Sequence, residues 1–446
     1  MIELLRRVRD VDPDRPAVVT HDGTATYGDL HAAAESIARA LTESAISRIA
    51  VTDVEAAGVI PALAGASRVG TEACIYPPAE PAEITDLLAR FDHHDCIAGS
   101  PDVDHLAKPL GAPSENASLP SDTPEERPHL VLTTGTTGTP RGVRHDWNRL
   151  LRGVERVEPA PEDRWLLAYG IHQFAGLQVL LHVAAAGSTL VAPTPRRPRE
   201  GLRAIRELGV THLSATPTYW RFLLAEMQSD GGGSPPLRQI TLGGEAIPGT
   251  LLEKLGQVFP DARISQVYAA SEFGSSGSVR DGQAGLPIDV IGRDEDAPVD
   301  MKVVDGQLWM RSRTGMLGYY GEESVDADGW RPTGDLVEVV GDRILFRGRT
   351  SEVINVGGVK IHPLPIENLV AGVPGVAICR VHGRPSPVTG SIVAVEVVLL
   401  PGHADADVRS AIRAACSELP AAARPRSITF VDSVTTVGNK VIRSTS

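Results

Sequence analysis

A segment rich in glycine and threonine, residues 131–143, follows an apolar run and has the residue types of a phosphate-binding loop. Its glycines, Gly135, Gly138 and Gly142, let the backbone approach an anion closely, with successive N–H groups directed at it. Hydroxyl donors and one fixed positive charge come from Thr133, Thr134, Thr136, Thr137 and Arg141. The segment lacks the lysine spacing of a Walker A loop, so the sequence predicts phosphate binding of another kind. A plain turn between a strand and the next element is the alternative.

Further motifs follow this loop in a fixed order along the chain. They are Leu167–Gly176, Thr216–Trp220, Leu242–Ala246, Val267–Glu272, Leu317–Tyr320, Asp328–Asp335, Arg347–Pro363 and Gly438–Arg443, and Thr26–Leu30 precedes them. With residues 131–143 they resemble the signature of the adenylate-forming (ANL) superfamily, which includes acyl-CoA synthetases, nonribosomal-peptide adenylation domains and luciferases. The resemblance extends over nearly the whole chain.

The resemblance implies a site for ATP and Mg²⁺. In it, Tyr268 would stack on adenine, Ser271 would hydrogen-bond phosphate, and Glu272 would hold Mg²⁺. Asp335 would accept hydrogen bonds from the ribose hydroxyls, a task that suits a carboxylate because it accepts several donors at once. Arg349 would reach the ribose or a phosphate.

The same resemblance implies where the acid and the thiol bind. His172 would lie at the acid pocket and help gate the path to the thiol, whereas Lys440 would contact the carboxylate and the α-phosphate. Cations are needed there because the two reacting groups are both negative. Backbone at Gly243 and Gly244 would lie against adenine or the acid; a strand-to-helix turn is the alternative. The remaining expected pocket residues are Phe174, Trp220 and the region after Phe273.

The implied reaction has two steps. An acid and ATP give acyl-AMP and pyrophosphate, the C-terminal domain rotates, and a thiol then attacks to give a thioester and AMP. Gly357 and Gly358 would line the channel for the pantetheine arm, which favours coenzyme A as the acceptor. Alternative acceptors are the phosphopantetheine of a carrier protein and another nucleophile such as an amine. A further alternative to an active ligase is a catalytically weakened binding protein that has kept the fold. The acid is expected to be small or medium-sized and could be an aryl acid.

The chain departs from the superfamily pattern at several positions. Arg141 stands where most relatives have lysine, Ala269 where they have glycine, and Ser351 where the hinge has aspartate or lysine. Arginine keeps the charge but replaces a point cation by a planar fork, so we expect phosphate binding to survive.

Composition narrows the range of partners. The 446 residues carry a formal charge of -13, which argues against a nucleic-acid surface. The amino-terminal segment lacks the apolar core of a signal peptide, and no apolar run is long enough for a membrane span. We therefore expect a cytoplasmic enzyme, without integral membrane association, that acts on small molecules and could form a homodimer.

The elements that would position these residues follow from the hydrophobic pattern. Strand-like runs alternate with helical ones, which predicts mixed β-sheets covered by helices, with ligands at the carboxyl ends of the strands. Expected strands are 48–52, 130–133, 188–191, 239–242 and 263–268, and expected helices are 27–41, 81–91, 147–154, 201–207 and 219–225. The fold class is therefore α/β: a large N-terminal adenylation domain, residues 1–349, and a small mobile α+β C-terminal domain, residues 350–446. In the latter we expect strands at 377–381, 391–399 and 427–431 and a helix at 405–419.

Overall fold

A computed structural model describes residues 1–52, 54–99, 107–114, 116–121, 124–134, 140–194, 196–292, 297–326, 328–400, 402–437, 440–441 and 443. Its α-helices within these ranges are α1 (Ile2–Arg9), α2 (Tyr27–Glu43), α3 (Ala56–Val69), α4 (Pro81–Arg90), α5 (Trp147–Arg152), α6 (Phe174–Ala186), α7 (Pro198–Glu207), α8 (Pro217–Asp230), α9 (Gly249–Val258), α10 (Pro363–Ala371) and α11 (Asp405–Ala415).

The strands of the first part of the chain are β1 (Pro16–Val19), β2 (Thr24–Thr26), β3 (Arg48–Thr52), β4 (Glu72–Ile75), β5 (Asp95–Ala98), β6 (Lys108–Pro109), β7 (Pro128–Thr134), β8 (Pro140–Asp146), β9 (Arg164–Leu167), β10 (Thr189–Val191), β11 (His212–Ala215), β12 (Gln239–Gly243), β13 (Arg263–Ala270) and β14 (Gly274–Val279). The later strands are β15 (Leu286–Pro287), β16 (Val299–Val304), β17 (Gln307–Ser312), β18 (Gly318–Tyr319), β19 (Arg331–Val340), β20 (Arg343–Arg349), β21 (Ile354–Val356), β22 (Val359–Ile361), β23 (Val376–Ser386), β24 (Gly390–Leu399), β25 (Ser427–Phe430), β26 (Thr436–Val437) and β27 (Lys440–Val441).

Three sheets make up the larger part of the molecule. An eight-stranded sheet has the order β14-β13-β12-β11-β9-β10-β1-β2, and a seven-stranded sheet has the order β18-β8-β7-β4-β3-β5-β6. A five-stranded sheet, β15-β20-β19-β17-β16, completes this part. Strands β9, β11, β12 and β13 are parallel, so their carboxyl ends lie along one edge of the eight-stranded sheet. This edge is where ligands bind in open α/β sheets.

The carboxyl-terminal part has its own sheet, β22-β21-β24-β23, with β25 parallel to β24. Apolar side chains of this sheet pack with those of α10 and α11 around Val381, Val395 and Ile412, all of which are fully buried. Phe222 of α8 packs with Ile378 of β23, so helix α8 contacts this part of the chain.

The expected α/β fold class, with its large mixed-sheet part and smaller carboxyl-terminal part, is confirmed. The helix expected at 201–207 begins earlier, because α7 starts at Pro198, the first-turn position that proline favours. The division of the chain at residues 349 and 350 remains a prediction. Among the described residues, no helix combines the length and apolar character needed to cross a bilayer.

Candidate active site

A cluster of polar side chains joins the eight-stranded sheet to the five-stranded sheet. Asp335 of β19 lies directly opposite Arg349 of β20 in the strand register, and their side chains form an ion pair with Nε–Oδ1 at 3.0 Å. Tyr268 of β13 donates its hydroxyl to the other Asp335 oxygen at 2.5 Å. The structure therefore brings together three residues that the sequence predicts to bind the nucleoside.

This cluster is held in place from two sides. The Asp335 N–H donates to the Thr333 hydroxyl at 3.1 Å, and that hydroxyl donates to the Leu308 carbonyl. The Tyr268 ring stacks on Phe346 with centroids 5.1 Å apart, which fixes the plane of the ring. Burial and the Asp335 charge raise the pKa of Tyr268, so its hydroxyl remains a donor. The pKa of Arg349 is also raised, chiefly by Asp335.

A second cluster surrounds Glu272, which follows β13. The Tyr319 hydroxyl donates to Glu272 Oε1 at 3.1 Å, and the Arg141 guanidinium lies 3.4 Å from the centre of the Tyr319 ring. Burial and the Glu272 charge raise the pKa of Tyr319 to about 12, so this hydroxyl is also a donor at neutral pH. Glu272 follows Tyr268 by four residues, just past the end of β13, and it also contributes to the raised pKa of Arg349. Ser271, half-buried, follows the last residue of β13 and precedes Glu272.

Arg141 lies at the start of β8, beside the predicted phosphate loop. Strands β7 and β8 pair as far as Thr134 and Pro140, and the Thr133 hydroxyl donates to the Arg141 carbonyl at 3.4 Å. Arg141 also forms an exposed ion pair with Glu322 at 2.7 Å. The predicted phosphate ligands Gly135, Thr136, Thr137 and Gly138, and the side chain of Thr134, lie outside the described residues.

His172 lies between β9 and α6, in a turn that glycines make possible. A Cβ at Gly170 would come 2.6 Å from the His172 ring, and a Cβ at Gly176 would come 2.3 Å from the Gly170 carbonyl. Burial, with a contribution from Arg196, lowers the pKa of His172 to about 4. His172 is therefore neutral at pH 7 and can serve an acid pocket as a hydrogen-bonding or packing group, not as a cation.

Gly243 ends β12 at the carboxyl edge of the sheet, and Gly244 follows it. Gly243 pairs with Val267, the neighbour of Tyr268, and its carbonyl accepts a hydrogen bond from Tyr169 at 3.4 Å. Gly244 has a φ of +82°, a conformation that favours glycine. Both glycines thus lie one strand away from the Tyr268 cluster, as a contact with adenine would require. Of the other expected pocket residues, Trp220 is fully buried and donates to the Thr241 carbonyl, so it belongs to the core.

Gly357 and Gly358 form the two-residue turn of the β21–β22 hairpin. Their φ angles are +59° and +88°, and positive φ at both positions is the requirement of a type I′ turn. The Gly358 N–H donates to Asn355 Oδ1 at 2.9 Å. The turn itself therefore accounts for both glycines, and their predicted place beside a thiol remains a prediction.

Lys440 is the first residue of β27, which pairs with β26; its side chain lies outside the described residues. Arg443, three residues further on, contacts Glu352 at 3.4 Å and Glu367 at 2.7 Å. The Arg349 N–H donates to the same Glu352 side chain at 3.3 Å. The segment that carries Lys440 is thus tied to the turn that follows β20.

The arrangement around Glu272 fits Mg²⁺. The described residues hold no group of three or more histidine, cysteine, aspartate or glutamate side chains that could cage a metal ion. Magnesium does not require one, because it usually binds one or two carboxylates together with water and substrate phosphates. Glu272 is the carboxylate of this site that fits such an ion.

The structure adds three residues to the predicted site: Tyr319, Phe346 and Arg331. Tyr319 belongs to the Leu317–Tyr320 motif, so membership of that motif was the available signal. Phe346 precedes the Arg347–Pro363 motif by one residue and has no comparable signal, since many strands contain a phenylalanine. Arg331, with its guanidinium over the Phe273 ring at 4.9 Å, lies within the Asp328–Asp335 motif, and its place in that motif was the available signal.

Comparisons with known proteins find matches over most of the chain. The family model described as AMP-binding enzyme matches residues 5–320, and the model of the AMP-binding enzyme C-terminal domain matches residues 365–439. The chain is 27% identical, over 88% of its length and 85% of the relative's, to a fatty acid–[acyl-carrier-protein] ligase of Streptomyces coeruleorubidus. It is 26% identical, over 86% of both chains, to a 2-succinylbenzoate–CoA ligase of Bacillus cereus.

Among solved structures, an anthranilate CoA ligase in complex with anthranoyl-AMP superposes with a TM-score of 0.84. The two proteins are 20% identical, and the superposition covers 99% of this chain and 95% of the other. At this identity the likeness shows that the two proteins share a fold.

Proposed function

This chain belongs to the AMP-binding enzyme family, and we propose that it is an AMP-forming acid–thiol ligase. It would activate a carboxylic acid with ATP to acyl-AMP, with release of pyrophosphate, and transfer the acyl group to coenzyme A. The observation that carries this proposal is the meeting of the Tyr268–Asp335–Arg349 cluster with the Glu272–Tyr319–Arg141 cluster at the carboxyl edge of a parallel sheet. One cluster supplies nucleoside-binding groups and the other supplies groups for phosphate and Mg²⁺.

The Asp335 carboxylate can hold the ribose without losing its present partners. Its two oxygens already accept from Arg349 and Tyr268, but a carboxylate offers about four acceptor positions. The ribose hydroxyls can occupy the remaining positions, and Arg349 then keeps the carboxylate oriented. Glu272 would hold Mg²⁺ with the phosphates, and the Tyr319 hydroxyl would fix the direction of its carboxylate.

Charge balance assigns a role to Lys440. The acid and the α-phosphate are both negative, so a cation between them lowers the barrier to attack. His172 is neutral at pH 7 and does not supply this charge. Lys440, carried on the strand next to Arg443, is the cation that the sequence predicts for this position.

Coenzyme A is the proposed acceptor, and a carrier protein is the second candidate. The relatives support both, because one is a CoA ligase and another is a ligase acting on an acyl-carrier protein. An amine is the third acceptor to be tested. We further propose a cytoplasmic location and a homodimer, which cell fractionation and light scattering would test.

The first experiment is pyrophosphate release with ATP and Mg²⁺ over a panel of carboxylic acids that includes aryl acids. Each acid is assayed with coenzyme A, with a phosphopantetheinyl carrier protein, with hydroxylamine as a general amine, and with no acceptor. Acid-dependent pyrophosphate release with acyl-CoA as product supports the proposal. Multiple turnovers only with the carrier protein, or only with the amine, would show that this acceptor is used in place of coenzyme A. No release with any acid, although ATP binds, contradicts the proposal.

The Lys440→Ala variant tests the assignment of the cation. Removal of one positioned charge should slow acyl-AMP formation by roughly 10²–10³-fold, as loss of a comparable stabilising group does in other enzymes. The variant should still bind AMP as the wild-type enzyme does. Pyrophosphate release at the wild-type rate would remove Lys440 from the adenylation step.

A further inference from the structure

Arg331, the first residue of β19, has a buried guanidinium without a hydrogen-bond partner. All three of its nitrogens are shielded from solvent, and none has a partner within the described part of the chain. The other two arginines of the site differ, because Arg349 pairs with Asp335 and Arg141 pairs with Glu322. An arginine stays protonated in a protein, so Arg331 is a cation with a buried guanidinium that no described residue pairs by a hydrogen bond.

Its neighbours place Arg331 on the phosphate side of the site. The guanidinium lies over the Phe273 ring, next in sequence to Glu272. Burial lowers the pKa of Arg331, while Tyr319, Glu272 and Asp326 act in the opposite direction. Tyr319 and Glu272 are also the partners of the cluster that reaches Arg141 and the start of β8. Arg331 therefore belongs to the same group of side chains as Glu272, Tyr319 and Arg141.

We propose that Arg331 binds the pyrophosphate end of ATP, and pyrophosphate once it has been cleaved. This inference rests on the proposed function. A buried cation without a partner needs an anion, and the planar fork of an arginine matches two phosphate oxygens at once. Glu272 does not accept a hydrogen bond from Arg331, so a polyphosphate is the anion that the site would supply.

Binding requires a change of side-chain positions, because the guanidinium is enclosed. Arg141, which stacks on Tyr319, has room to turn toward the same ligand, since it is 46% exposed and its partner Glu322 is also exposed. The two arginines would then face the same polyphosphate. Arg331 would then share the binding of phosphate with Arg141, which stands where most relatives have a lysine.

The test compares Arg331→Gln and Arg331→Lys with the wild-type enzyme and with Arg313→Gln. Arg313→Gln is a matched control, because it removes the same charge from an exposed arginine that pairs with Asp328. Titration calorimetry in the presence of Mg²⁺ measures the affinities for ATP, for pyrophosphate and for AMP in separate titrations. We expect Arg331→Gln to weaken pyrophosphate and ATP binding by roughly tenfold or more, the loss typical of a charged hydrogen bond, with AMP affinity unchanged.

Arg331→Lys keeps the charge but not the fork, so its pyrophosphate affinity should lie between those of the wild type and Arg331→Gln. The control variant should match the wild type for all three ligands. The melting temperature separates a structural role from a binding role. Without ligand, Arg331→Gln should be at least as stable as the wild type, because it removes an unpaired buried charge.

Three results overturn the inference: equal losses for ATP and AMP, unchanged pyrophosphate affinity, or a lower melting temperature without ligand. If Arg331→Gln does not fold, the Arg331→Lys series decides, and unchanged pyrophosphate affinity there counts against the proposal. A weakening seen only with acids that carry a second carboxylate would assign Arg331 to the acid instead. Failure of the wild-type enzyme to bind ATP or AMP would contradict the proposed function, a result distinct from all of these.

Discussion

Asp335 connects three elements through one carboxylate. Its Oδ1 accepts from Arg349 and its Oδ2 accepts from Tyr268, so both donors are fixed relative to β19. The Tyr268 hydroxyl cannot ionise near neutral pH, because burial and the carboxylate raise its pKa. The three side chains therefore form one unit, and a change in Asp335 alters the positions of the other two.

The Asp335→Asn variant tests this unit. Arg349 and Tyr268 each donate to one oxygen of Asp335. The asparagine amide replaces one of these oxygens by an NH₂ group, so one of the two donors loses its acceptor. We expect AMP and ATP to bind roughly 10- to 100-fold more weakly, the range for loss of hydrogen bonds to a charged group, as measured by calorimetry. Glu338→Gln is the control, because Glu338 is an exposed residue of the same strand that pairs with Arg347. Equal AMP affinity in the two variants would contradict the assignment.

At the scale of elements, two short segments after β20 have structural requirements of their own. The β21–β22 hairpin needs glycine or a residue that tolerates positive φ at 357 and 358. The Arg443 guanidinium ties the Lys440 segment to the turn at Thr350–Glu352 and to α10, which carries Glu367. Substitutions at Gly358 and at Arg443 therefore test these segments without replacing a residue of the Tyr268–Asp335–Arg349 cluster.

Gly358→Asn tests whether the hairpin lines the path of the thiol. Asparagine tolerates positive φ, and no atom lies within 4 Å of a Cβ at this position, so the fold should survive. Pyrophosphate release in a single turnover should be unchanged, whereas thioester formation should slow on the order of 10- to 100-fold through steric misplacement. Gly402→Asn, with a similar φ of +83° in open space, is the matched control. Equal rates of thioester formation in both variants would place the thiol elsewhere.

Arg443→Gln tests the tie between the Lys440 segment and α10. It leaves Glu367, a side chain only 6% exposed, without its cation, and such a loss costs about 3–5 kcal/mol. Denaturant unfolding should show this loss, whereas exposed Arg413→Gln in α11 should change stability by less than about 0.5 kcal/mol. The double variant Arg443→Gln, Glu367→Gln should recover part of the loss. An Arg443→Gln protein as stable as the control would show that the ion pair contributes little.

For the whole molecule, buried histidines link stability to pH. Burial lowers the pKa of His93, His129 and His172 to about 4, and that of His145 to about 3. Below about pH 6.5 the unfolded chain takes up protons that the folded chain does not. The free energy of unfolding should therefore fall as the pH falls from about 6.5 to 4, by at most about 1.4 kcal/mol per pH unit for each histidine.

Urea unfolding at pH 7, 6 and 5 measures this dependence. His129→Phe should reduce the slope by about one proton, since His129 is fully buried against Trp147. His94→Gln, whose side chain is 84% exposed, should leave the slope near the wild-type value. An identical slope in the wild type and in His129→Phe would mean that this ring is protonated in the folded protein.

Hydrophobic periodicity predicted the type and approximate bounds of the strands and helices, and motif order predicted that Asp335, Arg349 and Tyr268 share a site. The facing of Asp335 and Arg349 could not be predicted, because the register of β19 and β20 shifts between Leu336 and Val337. One extra residue in a strand changes which side chains face each other, and no local pattern marks it. Arg331 was missed for a different reason: the absence of a partner depends on every element packed around it.

The ion cluster of Asp335 and Arg349 ends at residue 349, and that of Glu352, Arg443 and Glu367 begins after it. If two relatives recombined with a crossover just after Arg349, the resulting protein would inherit each cluster whole from a single parent. The hydrogen bond across this junction comes from the main-chain N–H of Arg349, which every residue except proline possesses. Chimaeric enzymes joined at this bond should keep both charge networks, whereas a crossover between Glu352 and Glu367 would combine halves with different evolutionary histories.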